Sequence, residues 1–213
     1  MKESKSNMIE EEQVQCVILA GGKGRRLDGK GKYSQKLHKK TLLEHVYSRM
    51  ILQTNLIAVN FRDKKYKIKP SYHIVVDKFK QDIGPLAGIH AALTYGNEKK
   101  NTHSSVVTVP VDTPFIPLDL IVKFKKNFNP LKTDVVIACS GKRHHPTIAM
   151  WNTEIIQKLE NSILNNIRKI DIFTNDLRKV YVKWNNERYD PFYNINNLND
   201  LKTAENMIKN IIN

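Results

Sequence analysis

Cysteine is scarce in this chain, with two in 213 residues, Cys16 and Cys139. Both lie inside apolar, strand-like runs, so no disulfide framework is available, and two buried thiols in a reducing cytoplasm are expected. Long apolar runs are missing as well. None approaches the ~20 residues needed to cross a membrane, although hydrophobic residues make up an ordinary 40% of the chain. Residues 1–12 are polar, of mixed charge, and lack the apolar core of a signal peptide; a flexible leader is expected there, ahead of a domain over residues 13–213. Internal repeats and linker-like stretches are absent, which argues for one domain, and the length suffices for a substantial α/β core. Acidic residues are the minority, 21 against 35 Lys and Arg, giving a net charge of +14. Much of that excess is Lys, 27 against 8 Arg, scattered where it solvates surfaces. Between Lys23 and Lys40, where basic residues crowd, only the aromatic Tyr33 is interleaved, fewer than a nucleic-acid module typically has. The expectation is therefore an anionic small-molecule partner, with no nucleic acid and no membrane.

What is present begins with Val14-Gln-Cys-Val-Ile-Leu-Ala-Gly-Gly-Lys-Gly-Arg-Arg26. Val17 to Ala20 form an apolar run that reads as a buried parallel strand. Gly21, Gly22 and Gly24 permit a tight turn at its end, and Lys23, Arg25 and Arg26 add positive charge. In open α/β sheets ligands bind at the carboxyl ends of strands, where backbone N–H groups of a glycine turn can face an anion. The turn is neither a Walker loop nor the dinucleotide Gly-x-Gly-x-x-Gly pattern; taken alone it is also compatible with an ordinary strand-to-loop turn. Between Lys23 and Lys40, eight of eighteen residues are Lys or Arg and only Asp28 is acidic, which suits a highly anionic ligand.

Further along, Thr41 to Gln53 has helical spacing, with Thr41 and Glu44 set for a capping box. Strands are expected at Leu56–Asn60, at His73–Val76 ending in Asp77, and at Ser105–Pro110. Gly84-Pro85 reads as a turn, and Leu86 to Tyr95 as a helix whose Ala87, Gly88, Ala91 and Ala92 allow close docking. Its N-terminus could meet an anion or a polar base edge. Asp112, just past the fourth strand, should reach the same sheet edge as Gly22. A carboxylate opposite a phosphate cradle is what Mg²⁺ requires; capping of the Asp-Thr-Pro turn is the other reading and both can hold. Helices are expected at Leu118–Phe128, at Glu154–Leu164, within 166–177 and at Leu198–Ile212. Strands are expected at Asp134–Cys139 and Lys179–Trp184. Arg143 to Trp151 should start as a loop and become a strand, and Phe192 to Asn197 should be extended. Adjacent His144 and His145 would point opposite ways on an extended chain, so a zinc site is not expected.

Five stretches now stand in order: Leu19-Ala-Gly-Gly-x-x-x-Arg26, Gly84-Pro-Leu-Ala-Gly88, Pro110-Val-Asp-Thr-Pro114, His145-Pro-Thr147 and Asn194-Ile-Asn196. Together they resemble the molybdenum cofactor guanylyltransferase (MobA) family of the nucleotidyltransferase superfamily, over roughly Val14 to Ile212. The element order and this resemblance imply an α/β fold: a single Rossmann-like three-layer domain with a mostly parallel central sheet flanked by helices. The resemblance implies transfer of GMP from GTP to molybdopterin, with or without its molybdenum, releasing pyrophosphate. By the same resemblance Leu19, Ala20, Gly21 and Gly22 hold the nucleotide, with Gly84, Pro85 and Leu86 beside it, and Asp77 helps bind the guanosine. Arg26 and Lys32 meet the triphosphate, and Asp112 is the Mg²⁺ ligand. His145, Thr147, Asn194 and Asn196 would line the pterin side. Transient contacts with other cofactor-biosynthesis proteins or molybdoenzyme chaperones are also implied.

The chain departs from the family pattern in two places. Arg26-Leu27-Asp28 stands where the family commonly has Arg-Met-Gly, and Gly31-Lys32 where it has Asp-Lys. The alternatives are a CTP-using sister enzyme, a sugar- or alditol-phosphate nucleotidyltransferase, and a non-catalytic nucleotide-binding protein.

Overall fold

The computed structural model describes residues 14–22, 31–63, 71–79, 83–98 and 105–212. The leader at 1–12 and Arg26, with the rest of 23–30, lie outside the described residues.

Strand β1 (Gln15–Leu19) is an interior strand of a seven-stranded sheet. Its side chains alternate between two cores: Cys16 and Ile18 face one, Val17 and Leu19 the other. A strand covered on both faces has no solvent side, so its sequence is a continuous apolar run. A 3-10 turn at Lys32–Ser34 and a two-stranded hairpin, β2 (Lys36–Leu37) and β3 (Lys40–Thr41), follow. The charge pattern gave no sign of this hairpin, which is pinned by the fully buried Leu37.

Helix α1 (Leu42–Met50) starts with the expected capping box. Glu44 N donates to Thr41 Oγ1 at 3.2 Å, and Thr41 N donates to Glu44 Oε2 at 2.9 Å. Then come β4 (Ile57–Phe61), β5 (His73–Val76), α2 (Pro85–Glu98), β6 (Ser105–Pro110) and α3 (Leu120–Asn127). The chain continues through β7 (Val135–Ser140), β8 (Arg143–Asn152), α4 (Ile156–Leu164), α5 (Ile170–Asn175), β9 (Lys179–Trp184) and α6 (Leu198–Ile212).

The strand order is β5-β4-β1-β6-β8-β7-β9. Only β8 runs against its neighbours, pairing antiparallel with β6 and β7, so the sheet is mostly parallel, as expected. Helices α1, α3 and α6 cover one face, and α2, α4 and α5 the other, completing three layers. The chain leaves β1 toward β4 on one side and later returns as β6 on the other. The carboxyl end of β1 is therefore a topological switch point, where open α/β sheets bind ligands.

Two expectations need correction. Residues 143–146 are strand rather than loop, because β8 pairs with β7 from Arg143 onward. The pairing steps from Ile137↔Ala149 to Ala138↔His145, so Pro146, Thr147 and Ile148 form a bulge. Pro146 has no N–H for the ladder, and a bulge is where a proline can sit in a sheet. Residues 192–197 are irregular rather than extended. They are tied down by single bonds, including Ile195 N to Asp112 O at 2.9 Å.

Candidate active site

The glycine turn, the ends of β4, β5 and β6, and the start of α2 enclose a cavity of about 350 Å³. Backbone bonds register its walls. Ala20 N donates to Asn60 O at 2.9 Å, Asp77 N to Phe61 O at 3.0 Å, and Val111 N to Leu19 O at 3.1 Å. Leu19, Gly21, Gly22, Asp77, Gly84, Pro85, Asp112, Thr147 and Asn194 line it, as do residues the sequence reading did not assign to a site: Asn60, Arg62, Ile83, Ala87, Gly88 and Pro110. A Cβ at Gly22 would meet nothing within 4 Å. Packing within the chain does not require glycine there; the open side of the turn faces the cavity. Gly88 is different. A Cβ on it would stand 2.7 Å from Asn60 Oδ1 and 3.1 Å from Leu19 Cδ2, so glycine lets α2 press against the ends of β1 and β4.

Asn60 Nδ2 donates to Asp77 Oδ1 at 2.8 Å and to the Val75 carbonyl at 3.3 Å, which fixes the carboxylate on the cavity wall. Burial raises the Asp77 pKa, opposed by the Asn60 bond and the nearby Arg62. One signal for Asn60 was present in the sequence: a single amide ending the apolar run Ile-Ala-Val-Asn.

At the other wall, Lys32 Nζ lies 2.6 Å from Asp112 Oδ2 and 2.5 Å from Asn196 Oδ1. Lys32 is aimed there by the 3-10 turn, whose N-cap Gly31 has φ +85°. A Cβ at Gly31 would also come 2.8 Å from the Tyr33 ring, and that ring packs edge-on to Phe61 at 5.2 Å. The glycine that departs from the family pattern thus suits this backbone, and the lysine still reaches Asp112.

Asp112 Oδ1 and Asn194 Oδ1 are buried and without a hydrogen-bond partner among the described residues. Such atoms are costly unless something else satisfies them. Two hard oxygen donors on one cavity fit a divalent cation that takes its remaining ligands from phosphates and water. Among the described residues no group of three or more His, Cys, Asp or Glu could hold a metal.

The remaining assigned residues lie as follows. Ala20 and Leu86 are fully buried in the walls behind the cavity. Asn196 is exposed and reaches the site through Lys32. Thr147 reaches the cavity from the β8 bulge, with its carbonyl accepting Thr108 Oγ1 at 3.0 Å. His145 is away from the wall: it is 7% exposed, 4.9 Å from the Phe192 ring, and hydrogen-bonded through Nε2 to Ser140 Oγ at 2.8 Å. Burial lowers its pKa to about 4. Its exposed neighbour His144 stacks on Tyr181 at 4.2 Å, the opposite orientation expected of an extended chain.

A mostly parallel sheet, a glycine turn at its switch point, and a lysine-paired carboxylate across the cavity define a nucleotidyltransferase. The MobA-like NTP transferase domain family matches residues 16–180, and the chain belongs to it. Molybdenum cofactor guanylyltransferase of Nitrobacter hamburgensis is 32% identical over 201 residues, 93% of this chain and 96% of that one. The protein of the same name from Haemophilus influenzae strain 86-028NP is 32% identical over 190 residues, 89% of this chain and 96% of that one. The crystal structure of molybdopterin-guanine dinucleotide biosynthesis protein A from Archaeoglobus fulgidus superposes with a TM-score of 0.74 at 27% identity, covering 92% of this chain and all of that one. A 2-C-methyl-D-erythritol 4-phosphate cytidylyltransferase from Thermus thermophilus, at 11% identity and TM-score 0.66 over 92% of this chain and 99% of that one, shares the fold.

Proposed function

We propose that the chain, as one domain over residues 13–213, transfers GMP from GTP to molybdopterin. An oxygen of the pterin's phosphate attacks the α-phosphorus, the bond from that phosphorus to the bridging oxygen breaks, and pyrophosphate leaves. Attacker and leaving group are both anionic, so catalysis is mainly positioning and charge neutralisation. The observation that carries this reading is the pair of orphaned oxygens, Asp112 Oδ1 and Asn194 Oδ1, on a cavity that begins at a glycine turn. The names of the relatives supply the substrates.

In this reading the N–H groups of Gly21 and Gly22 face the phosphates, with Leu19 and Ala20 holding the turn and Gly84, Pro85 and Leu86 supporting the opposite wall. Asp77, steadied by Asn60, accepts from the adjacent N–H and NH₂ of guanine; cytosine offers no such donor pair. Arg26 and Lys32 neutralise the triphosphate, and Lys32 exchanges its bond to Asp112 for one to phosphate. Mg²⁺, when bound, neutralises and orients the phosphates. Asp112 and Asn194 would hold it. Thr147, Asn194 and Asn196 stand on the acceptor side, and His145 braces that segment from behind through Ser140 and Phe192. The free, buried Cys16 and Cys139 suit work in a reducing cytoplasm, where product would pass to molybdoenzyme-specific partners.

Thermal unfolding with Mg²⁺ and, separately, GTP, CTP, UTP and ATP tests this. A ligand at 100 times its dissociation constant adds about 2.7 kcal/mol, roughly 5–10 °C for a domain of this size. A shift with GTP, lost in Asp77→Asn, is expected, and pyrophosphate release should require both GTP and molybdopterin. A shift with CTP alone would assign the sister reaction.

A further inference from the structure

Helix α2 carries a titratable side chain that the nucleotide site does not use. His90 is fully buried, and its Nδ1 has no partner among the described residues. Its Nε2 donates to Glu160 Oε1 on α4 at 2.8 Å. An apolar side chain would fill the same place without leaving a buried nitrogen unsatisfied, so the imidazole costs stability where it stands. Two further contacts converge on this pair. Lys78 Nζ donates to the same Glu160 oxygen at 3.4 Å, and the Phe79 ring meets the His90 ring edge-on at 4.9 Å. Lys78 and Phe79 are the two residues that follow Asp77.

Asp77 is thereby held from both sides. Toward β4, Asn60 Nδ2 donates to its Oδ1 at 2.8 Å, and its own N–H donates to the Phe61 carbonyl at 3.0 Å. On the side away from β5, Phe79 and Lys78 close on His90 and Glu160, which ties the segment to α2 and α4. The two limbs differ in weight. The Lys78 side chain is 70% exposed, and a solvated ion pair at 3.4 Å holds little. His90 is wholly out of water, where a hydrogen bond to a carboxylate is stronger and its geometry stricter. The same bond steadies α2, whose Pro85, Ala87 and Gly88 line the cavity. Burial raises the Asp77 pKa, while Asn60, Arg62 and His90 draw it down.

We propose that His90 and Glu160 are positioning residues for base selection. Through Phe79 and Lys78 they hold the Asp77 carboxylate where it accepts from both the ring N–H and the exocyclic NH₂ of guanine. This rests on Asp77 reading guanine, as proposed above. Neither His90 nor Glu160 lines the cavity, so both act through Asp77. A displaced carboxylate keeps its charge and one of its two bonds. What it loses is the preference for GTP over inosine triphosphate, which has the same ring N–H and lacks the exocyclic NH₂.

The experiment is a calorimetric titration of the full chain with GTP and with inosine triphosphate, in Mg²⁺ and without pterin. The unsubstituted chain should bind GTP about tenfold tighter, the scale of one charge-assisted hydrogen bond, and Asp77→Asn should bring the ratio near one. Glu160→Ala should cut the ratio to about threefold or less, with inosine triphosphate affinity within about twofold of the unsubstituted chain. Glu160→Gln keeps an oxygen for His90 Nε2 and should retain most of the ratio. Glu160 is partly exposed, so these variants should fold, which circular dichroism checks. His90→Phe keeps a ring of similar size without the donor and should act as Glu160→Ala does. A merely structural role would lower Tm or weaken both nucleotides alike and leave the ratio unchanged, and that result overturns the assignment. So does an equal loss in Glu160→Gln and Glu160→Ala. A ratio that collapses in Asp77→Asn and survives Glu160→Ala defeats the positioning role alone. No preference for GTP in the unsubstituted chain, or a preference that survives Asp77→Asn, defeats the guanine reading and the positioning role with it.

Discussion

The parallel part of the sheet, β5-β4-β1-β6, and its far end, β8-β7-β9, treat buried polar groups in opposite ways. At the far end these groups are satisfied internally. Ser140 meets His145, Trp151 Nε1 donates to Thr108 Oγ1 at 2.8 Å, and Asp134 takes bonds from the Arg178 backbone and guanidinium. At the carboxyl edge of the parallel part, Asp112 Oδ1 and Asn194 Oδ1 are left open. The other two orphaned atoms among the described residues, Gln15 Oε1 and His90 Nδ1, also lie outside β7, β8 and β9. A satisfied polar group specifies packing, whereas an open one over a cavity specifies a ligand. Among the described residues every orphaned buried side-chain atom lies outside β7, β8 and β9, and two of the four belong to residues lining the cavity.

The sharpest way to break this contrast is Asp112→Asn. The shape is kept and the charge removed, so kcat should fall about 10³-fold, the scale of a lost electrostatic contact to the reacting phosphates. Tm should fall modestly, because the substitution discharges the part-buried pair between Asp112 Oδ2 and Lys32 Nζ at 2.6 Å. Wild-type turnover in this variant would show that the open end is not the reacting one.

The complementary test is at His145. Its imidazole titrates near 6.5 when unfolded and about 4 when folded. The unfolded state therefore takes up the proton first. Stability from the neutral ring is full above about pH 6.5 and is lost as pH falls toward 4, by up to about 3 kcal/mol. Urea unfolding across that range should show this acid slope, and His145→Gln should flatten it. If the slope persists, the closed end is not closed at His145.

A smaller effect is expected at Gly88, where α2 meets the ends of β1 and β4. Gly to Ala inside a helix ordinarily gains about 1 kcal/mol. Here overpacking against Asn60 and Leu19 should outweigh that and leave a net loss of about 1 kcal/mol. Because Asn60 steadies Asp77, the KM for the nucleotide should rise as well. A stabilised Gly88→Ala with unchanged KM would mean that α2 does not set the position of Asp77.

Some of this was legible before any coordinates. The apolar run into Gly21-Gly22 and the Thr41–Glu44 capping box are local. Each depends on backbone preferences within a few residues, and each stands where expected. Asp112 was readable as an acid ending a buried strand. Not legible were the β2–β3 hairpin, hidden in a lysine-rich stretch around the buried Leu37, and the strand at 143–146, where the sequence reading expects a loop.

The sequence alone determined which chemistry could be assembled: a bare glycine turn, an acid after a buried strand, two asparagines near the last helix, and an excess of positive charge around the first. These follow from composition and short-range pattern. The tertiary structure decided which of these groups meet. Lys32 reaches Asp112 across 80 residues and Asn196 across 164. Asn60 lines the site because β4 pairs with β1, β5 beside β4 brings Asp77 to it, and His145 packs on Phe192 and Ser140 while Thr147 lines the cavity. Such pairings depend on strand order and register, and no window of the chain encodes them by itself.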